Sequence, residues 1–133
     1  MKIGLVCPYD MYRGGGVQEC VRALQTELEN RGHSARIITP LPKVKAETKT
    51  IDNVIFVGSS RQIKSPFHTT SQISASVNSD LLEKVLDEEN FDILHFHEPW
   101  VPILSRQILA KSRCANVATF HAKLPDTIMH TTI

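Results

Sequence analysis

Cysteine is scarce in this sequence and does not occur in pairs. The 133 residues include three cysteines, Cys7, Cys20 and Cys114, which are far apart and form no C-x-x-C motif. An odd number of widely spaced cysteines argues against a disulfide framework and against a cysteine-based zinc site. The composition fits a reducing compartment, and we expect the protein to be cytoplasmic.

The sequence also has no excess of charge and no long apolar segment. Lys and Arg number 15 against 14 Asp and Glu, which gives a formal net charge of +1. That balance disfavours nucleic acid as a partner, because binding to nucleic acid draws on many cationic groups. No apolar run approaches the ~18 residues of a membrane-spanning helix. The opening, MKIGLVCPYD, predicts a first strand and not a signal peptide.

What the sequence does have is short apolar segments that alternate with amphipathic ones. Strands are predicted at Lys2–Val6, Ala35–Thr39, Asn53–Val57, Asp92–Phe96 and Asn116–Phe120. Helices are predicted after the glycine run 14–16, from Asp80, which forms a capping-box pair with Glu83, and from Pro102 to about Lys111. Residues 43–50 and 58–77 are predicted loops. The order predicts one α/β domain, a parallel sheet with helices on both faces, which binds ligands where its strands end.

Three consecutive glycines, Gly14–Gly16, precede the first predicted helix. Glycines let a ligand approach the backbone, and a helix N-terminus offers free N–H groups that suit a phosphate. No G-x-G-x-x-G fingerprint follows the first strand directly, and no P-loop motif is present. The run therefore predicts either an anion site or a flexible loop without a ligand.

Histidines follow or end two of the predicted strands. His95 and His97 share one face of their strand, since side chains alternate along a strand. With a third ligand they would suit a metal ion. We favour the alternative, one buried, hydrogen-bonded histidine beside one that lines a pocket, and expect no bound metal. His121 ends the last strand segment, where a histidine acts as hydrogen-bond donor, acid or base, unless it is a surface loop residue.

Three segments, in order, resemble a known family. MKIGLVCPYD with GGGVQECVRAL, then FDILHFHEP, then VATFHA are similar to the N-terminal domain of retaining GT-B glycosyltransferases of family GT4, and most resemble the phosphatidylinositol mannosyltransferases in it. The resemblance spans residues 1–122. It implies two Rossmann-like domains separated by a cleft. The N-terminal domain holds mainly the acceptor, the C-terminal domain holds a nucleotide sugar, and no further cofactor is implied.

The resemblance also assigns residues. Gly15 and Gly16 match the loop that approaches the donor diphosphate, and His121 matches a catalytically important histidine beside the transferred sugar. Tyr9 and Gln18 match positions that face a polar acceptor head group. His97 and Glu98 match a family segment to which we assign no role.

On this basis we expect residues 1–133 to form a single acceptor-side domain, incomplete at its C-terminus, with the donor-binding domain absent. The expected function is one part of a retaining transfer of a mannosyl or glucosyl unit to an acceptor hydroxyl, with a phosphatidylinositol-type lipid as a candidate acceptor. We expect this part to be inactive alone. The alternatives are a stand-alone, non-catalytic ligand-binding module and, less favoured, a metal-dependent hydrolase that uses His95 and His97.

Two further expectations concern partners. The segment SDLLEKVLDEEN is acidic, whereas the family's counterpart is a basic membrane-binding segment; loop residues Lys43, Lys45, Lys49, Arg61 and Lys64 could provide only weak contact with the inner face of the membrane. The last predicted strand, 116–120, has no following strand in this sequence. An open apolar edge recruits other chains, so we expect self-association there.

Overall fold

The computed structural model describes residues 1–42, 52–58, 78–101 and 103–122. Its strands and helices alternate in the order β1 Lys2–Val6, α1 Gly16–Asn30, β2 Ser34–Pro40, β3 Val54–Val57, α2 Ser79–Glu89, β4 Ile93–His97, α3 Leu104–Lys111 and β5 Ala115–Thr119. Every predicted strand and helix is present, β1 with the predicted bounds and the others with bounds shifted by at most two residues. The predicted loop 43–50, nearly all of the loop 58–77 and the predicted helix start at Pro102 lie outside the described residues.

The five strands form one parallel sheet in the order β3-β2-β1-β4-β5. The predicted α/β class with a Rossmann-like parallel sheet is therefore confirmed. Parallel strands all end at the same edge of the sheet, so the segments that follow β1, β4 and β5 meet there. The segments at this edge include Tyr9, Gly15, Gly16, Glu98 and His121.

The two faces of the sheet are both covered by helices. On one face Leu5 and Ile37 pack with Val21 of α1. On the other face Val6 and Phe96 pack with residues of α2 and α3, including the fully buried Ile108. Neighbouring residues of β1 thus point into opposite cores, which explains why its sequence is apolar throughout instead of alternating.

A glycine in the central strand makes room for the second core. A Cβ atom placed on Gly4 would lie 2.7 Å from Leu94 Cδ2 and 3.3 Å from the ring of Phe91. Both neighbours are buried, and Gly4 is paired in register with Leu94. The packing of the Leu94 and Phe91 side chains against β1 therefore depends on the absence of a side chain at position 4.

The start of α2 differs from the prediction. The helix is capped by Asn78, whose side-chain oxygen accepts a hydrogen bond from the backbone N–H of Asp80. Asp80 therefore lies in the first turn and is not the capping residue, and the predicted capping-box pair with Glu83 is wrong. Asparagine is among the best N-cap residues because its short side chain reaches the free N–H groups of the first turn.

Ion pairs join the elements at the edge of the sheet where the strands begin. Glu89, the last residue of α2, forms ion pairs with Lys2 of β1 and Arg36 of β2. Asp92, predicted as the first residue of β4, instead accepts a hydrogen bond from the backbone N–H of Lys2 at 2.7 Å. These contacts join α2 and β4 to the central strands at the edge opposite the candidate site.

The sheet ends at β5 among the described residues. This strand pairs with β4 alone, and its residues are mostly exposed, with Val117 at 49% and the following Phe120 at 55%.

In the described part of the chain, no helix is long and apolar enough to cross a membrane.

Candidate active site

The loop after β1 is organised by Asp10. The carboxylate of Asp10 accepts the backbone N–H of Tyr12 at 2.9 Å, an Asx turn. The Asp10 carbonyl accepts the side-chain amide of Gln18 at 3.2 Å. Gln18, predicted to bind the acceptor, therefore connects the first turn of α1 to this loop. Its side-chain oxygen lies beside Gly15.

The glycine run begins α1 in ordinary backbone geometry. Gly15 is the N-cap residue with φ −179°, an extended conformation open to any residue, and no side chain in the described part of the chain caps the first turn. A Cβ atom on Gly16 would meet no atom within 4 Å. A Cβ atom on Gly15 would meet the side-chain oxygen of Gln18, whereas among the described residues the space beside Gly16 is free and available to a ligand. Glu19 also lies in this turn and partly balances the positive end of the helix dipole.

The two histidines of β4 lie side by side, as their spacing predicted. The ring centroids of His95 and His97 are 4.2 Å apart. His95 is hydrogen-bonded through Nε2 to the hydroxyl of Thr119 in β5, at 2.7 Å. Burial, followed by the charge of His121, lowers the pKa of His95 below its ordinary value.

His97 is buried and faces His121 across the ends of β4 and β5. Its Nδ1 atom lies 2.9 Å from Nε2 of His121, and the two rings stack with centroids 5.2 Å apart. Burial, helped by the charges of His95 and His121 and opposed by that of Glu98, lowers the pKa of His97 to about 4. His97 is therefore neutral at neutral pH.

A neutral His97 carries one N–H, either at Nδ1 or at Nε2. Among the described residues its Nε2 atom is buried without a hydrogen-bond partner. A buried N–H without an acceptor costs more than an unused lone pair, so we assign the proton to Nδ1. His97 then donates to Nε2 of His121. Among the described residues the second nitrogen of His121, Nδ1, has no hydrogen-bond partner, and His121 itself is exposed.

Glu98 closes the site from the other side. It is only 1% exposed, and its carboxylate accepts the backbone N–H of His121, the backbone N–H of Ala122 at 3.1 Å and the indole N–H of Trp100 at 2.6 Å. Its φ of 51° is left-handed, a conformation that costs a non-glycine residue about 1–2 kcal/mol. The fold thus accepts backbone strain where this carboxylate turns toward β5.

Hydrogen bonds keep this carboxylate charged despite its burial. Burial alone would raise the pKa of Glu98, but the bonds from His121, Trp100 and Ala122 outweigh it and lower the pKa below its ordinary value. The negative charge of Glu98 also acts on the phenol of Tyr9, on the loop after β1. Burial first, then the charges of Glu98 and Cys7, raise the pKa of Tyr9.

The structure thus brings His121 together with His97 and Glu98, and sets Tyr9 within the electrostatic field of Glu98. Gly15, Gly16 and Gln18 form a second group around Asp10. Sequence reasoning left Glu98 without a role. The only signal in the sequence was its place directly after a strand at the ligand-binding edge.

The described side chains of this site do not form a recognisable set of metal ligands. In the described residues no group of three or more His, Cys, Asp or Glu side chains could hold a metal ion. The nitrogens of His97 and His121 that face each other are occupied by their mutual hydrogen bond. The metal-hydrolase alternative therefore has no site among these residues.

The fold and the edge site define a Rossmann-like α/β protein whose candidate site lies where the parallel strands end. The crystal structure of a glycosyltransferase from Rickettsia africae ESF-5 matches this chain with a TM-score of 0.57. The match covers 98% of this chain and 32% of that one, at 22% sequence identity. At this identity the similarity establishes the fold.

The family follows from the sequence comparisons. The family model described as Glycosyltransferase Family 4 matches residues 14–132, and the chain belongs to this family. It is 36% identical over 131 residues to a phosphatidyl-myo-inositol mannosyltransferase of Propionibacterium freudenreichii, covering 95% of this chain and 34% of the relative. A protein of the same name from Mycobacterium leprae is 34% identical over 131 residues, with 96% and 33% covered. The chain thus spans about a third of the length of these relatives.

Proposed function

We propose that this chain is the N-terminal, acceptor-side part of a retaining glycosyltransferase. The reaction moves a mannosyl or glucosyl unit from a nucleotide sugar to an acceptor hydroxyl, with a phosphatidylinositol-type lipid as the acceptor. The observation that carries the proposal is the position of His121 at the ligand-binding edge, fixed by His97 on one side and by Glu98 on the other. A histidine held in this way can orient a reacting sugar by a hydrogen bond.

The sugar contact is made through Nδ1 of His121. Its Nε2 atom is engaged by His97, whose low pKa keeps that partner neutral. Because Nε2 of His121 accepts from His97, its Nδ1 atom carries an N–H, and we assign to it a hydrogen bond donated to a sugar oxygen. His121 is exposed, so a sugar reaches it without rearrangement of the core.

The donor diphosphate is placed at Gly15 and Gly16. Their backbone N–H groups at the uncapped start of α1 stabilise negative charge on the leaving group. The open space beside Gly16 supports a close approach. The nucleotide and most of the donor sugar are bound by the remaining part of the enzyme, so residues 1–133 alone catalyse no transfer.

The acceptor head group is placed at Tyr9 and Gln18. The phenol of Tyr9 and the amide of Gln18 offer hydrogen bonds suited to a polyol or a phosphate. The names of the relatives, phosphatidyl-myo-inositol mannosyltransferases, support an inositol head group. We propose a cytoplasmic location with weak contact at the inner membrane face. The exposed side of α2 is acidic and would not favour anionic lipid; the basic loop residues 43, 45, 49, 61 and 64 lie outside the described residues.

Acceptor binding can be tested on this chain with its sole tryptophan as reporter, since Trp100 donates to Glu98. We expect myo-inositol 1-phosphate, and vesicles of phosphatidylinositol in phosphatidylcholine, to change the fluorescence of Trp100. Pure phosphatidylcholine vesicles should not. Tyr9→Phe and Gln18→Ala should weaken binding, and Thr26→Ala, on the exposed side of α1, should leave it unchanged.

The same titration separates the alternatives. Equal affinity for inorganic phosphate and inositol phosphate, without an effect of the Tyr9 variant, would contradict acceptor recognition and favour a non-catalytic phosphate-binding module. No response to any of these probes would contradict the acceptor assignment altogether.

A further inference from the structure

The carboxylate of Glu98 is placed by its own backbone. The N–H of Glu98 donates to the carbonyl of Thr119 at 2.9 Å, and its carbonyl accepts the N–H of Val101 at 3.0 Å. The first bond extends the pairing of β4 with β5 by one residue, and the second closes a turn. The left-handed φ between them turns the side chain away from the strand direction and toward β5.

The three hydrogen bonds that described residues make to this carboxylate come from neutral N–H groups. Two are the consecutive amides of His121 and Ala122, and the third is the indole of Trp100. No ion pair with Glu98 forms within residues 1–42, 52–58, 78–101 and 103–122. Among the described residues the side chain therefore neutralises no Lys or Arg. Its hydrogen bonds are made to the backbone N–H groups of His121 and Ala122 and to the half-exposed indole ring of Trp100.

The backbone at His121 lies beyond the last strand, where sheet pairing no longer directs it. β5 ends at Thr119, in register with His97, so the fixed position of His121 requires another source. Two contacts supply it: the carboxylate of Glu98 at the backbone and Nδ1 of His97 at the ring. The first fixes where the residue is, and the second fixes the rotation of the imidazole.

From this geometry we infer that Glu98 is a positioning residue for His121, and that it holds the indole of Trp100 beside the same site. The inference rests on the proposed function for its catalytic meaning, but not for its geometry. Glu98 itself need not touch the substrate, because it is buried beneath the residues that do. Its loss would let the His121 backbone and imidazole move without unfolding the sheet.

The test compares Glu98→Gln and Glu98→Ala with Glu89→Gln in the full chain by NMR at pH 7. Glu89 is the matched control, a partly buried carboxylate with two ion pairs at the opposite edge. The readouts are hydrogen exchange of the His121 and Ala122 amides, the indole N–H signal of Trp100 and the imidazole ¹⁵N shifts of His97 and His121. None of these requires a substrate.

We expect Glu98→Ala to speed exchange of both amides about tenfold or more, to shift the indole signal and to change the imidazole shifts of His97 and His121 together. Glu98→Gln retains one acceptor oxygen, so it should restore amide protection while the indole bond is lost. Because this variant is nearly isosteric, it remains informative if Glu98→Ala does not fold. Glu89→Gln should change none of these signals.

Two results would overturn the inference. One is unchanged amide exchange in both Glu98 variants. The other is altered exchange with unchanged imidazole shifts, which would limit Glu98 to a turn-forming role. A failure of the proposed function is distinct, since it would show as absent acceptor binding by the wild-type chain while the Glu98 effects on His121 persist.

Discussion

The Nδ1 atom of His97 lies 2.9 Å from the Nε2 atom of His121. The two residues are 24 positions apart and meet because β4 and β5 are parallel neighbours. His97 is paired in register with Thr119, so His121 falls just past the end of the ladder, above the histidine ring. The buried imidazole thus presents its neutral form to the exposed one.

Stability should fall on acidification because of His97. Its pKa is about 6.5 in an unfolded chain and about 4 in the fold, so the unfolded state binds the proton more readily. The contribution is complete above pH 6.5 and is lost as the pH falls toward 4. Between pH 7 and pH 5 the free energy of unfolding should drop by about 2 kcal/mol from this residue.

Urea unfolding at the two pH values tests this. His97→Gln should flatten that part of the pH dependence, whereas His33→Gln, in the turn before β2, should retain it. An equal slope in the wild type and in the His97 variant would show that His97 does not titrate as described.

A side chain at position 4 should destabilise the sheet. Gly4→Ala places a Cβ atom against buried Leu94 and Phe91, and overpacking of this kind costs about 1–3 kcal/mol. Gly14→Ala is the matched control, since a Cβ there meets nothing within 4 Å. Chemical denaturation of both variants measures the difference, and equal stability would mean that β1 and β4 are less closely packed than the structure shows.

Gly16→Ala should separate stability from function. Gly16 is the first residue of α1 and has open space around it, so alanine should raise the free energy of unfolding by about 0.5–1 kcal/mol. In a two-domain enzyme that contains this chain, the same methyl group should weaken binding of the nucleotide sugar. A stabilised variant with unaltered donor affinity would contradict the assignment of Gly16 to the diphosphate.

The outer strand should drive self-association. Among the described residues β5 is paired on one side only, and Val117 and Phe120 beside it are about half exposed. Sedimentation at tens of micromolar should show species larger than the monomer. Val117→Lys should reduce them because a charge on an edge strand opposes pairing, while Leu81→Lys on α2 should not. A monodisperse wild-type monomer would contradict this prediction.

The sequence was informative about the elements and less so about the site. Apolar runs such as Lys2–Val6 were recognisable because both faces of the sheet are buried, and His95 with His97 shared a face because strands alternate. The cap at Asn78 was missed because it ends a polar stretch without periodicity. The role of Glu98 was not predictable, since it depends on a left-handed φ and on the β4–β5 register, which no local pattern encodes.

The central claim is that His121, held by its two partners, serves sugar transfer on the acceptor side of a two-domain enzyme. The most direct measurement joins residues 1–133 to the remaining two thirds of the Propionibacterium freudenreichii relative and follows mannosyl transfer from a nucleotide-activated mannose to phosphatidylinositol. The fusion should transfer mannose and the isolated chain should not. His121→Ala should lower the rate about a hundredfold or more, and His33→Ala should leave it within about twofold. Turnover by the isolated chain, full activity of the His121→Ala fusion, or a folded fusion that binds the nucleotide-activated mannose but transfers nothing would contradict the account.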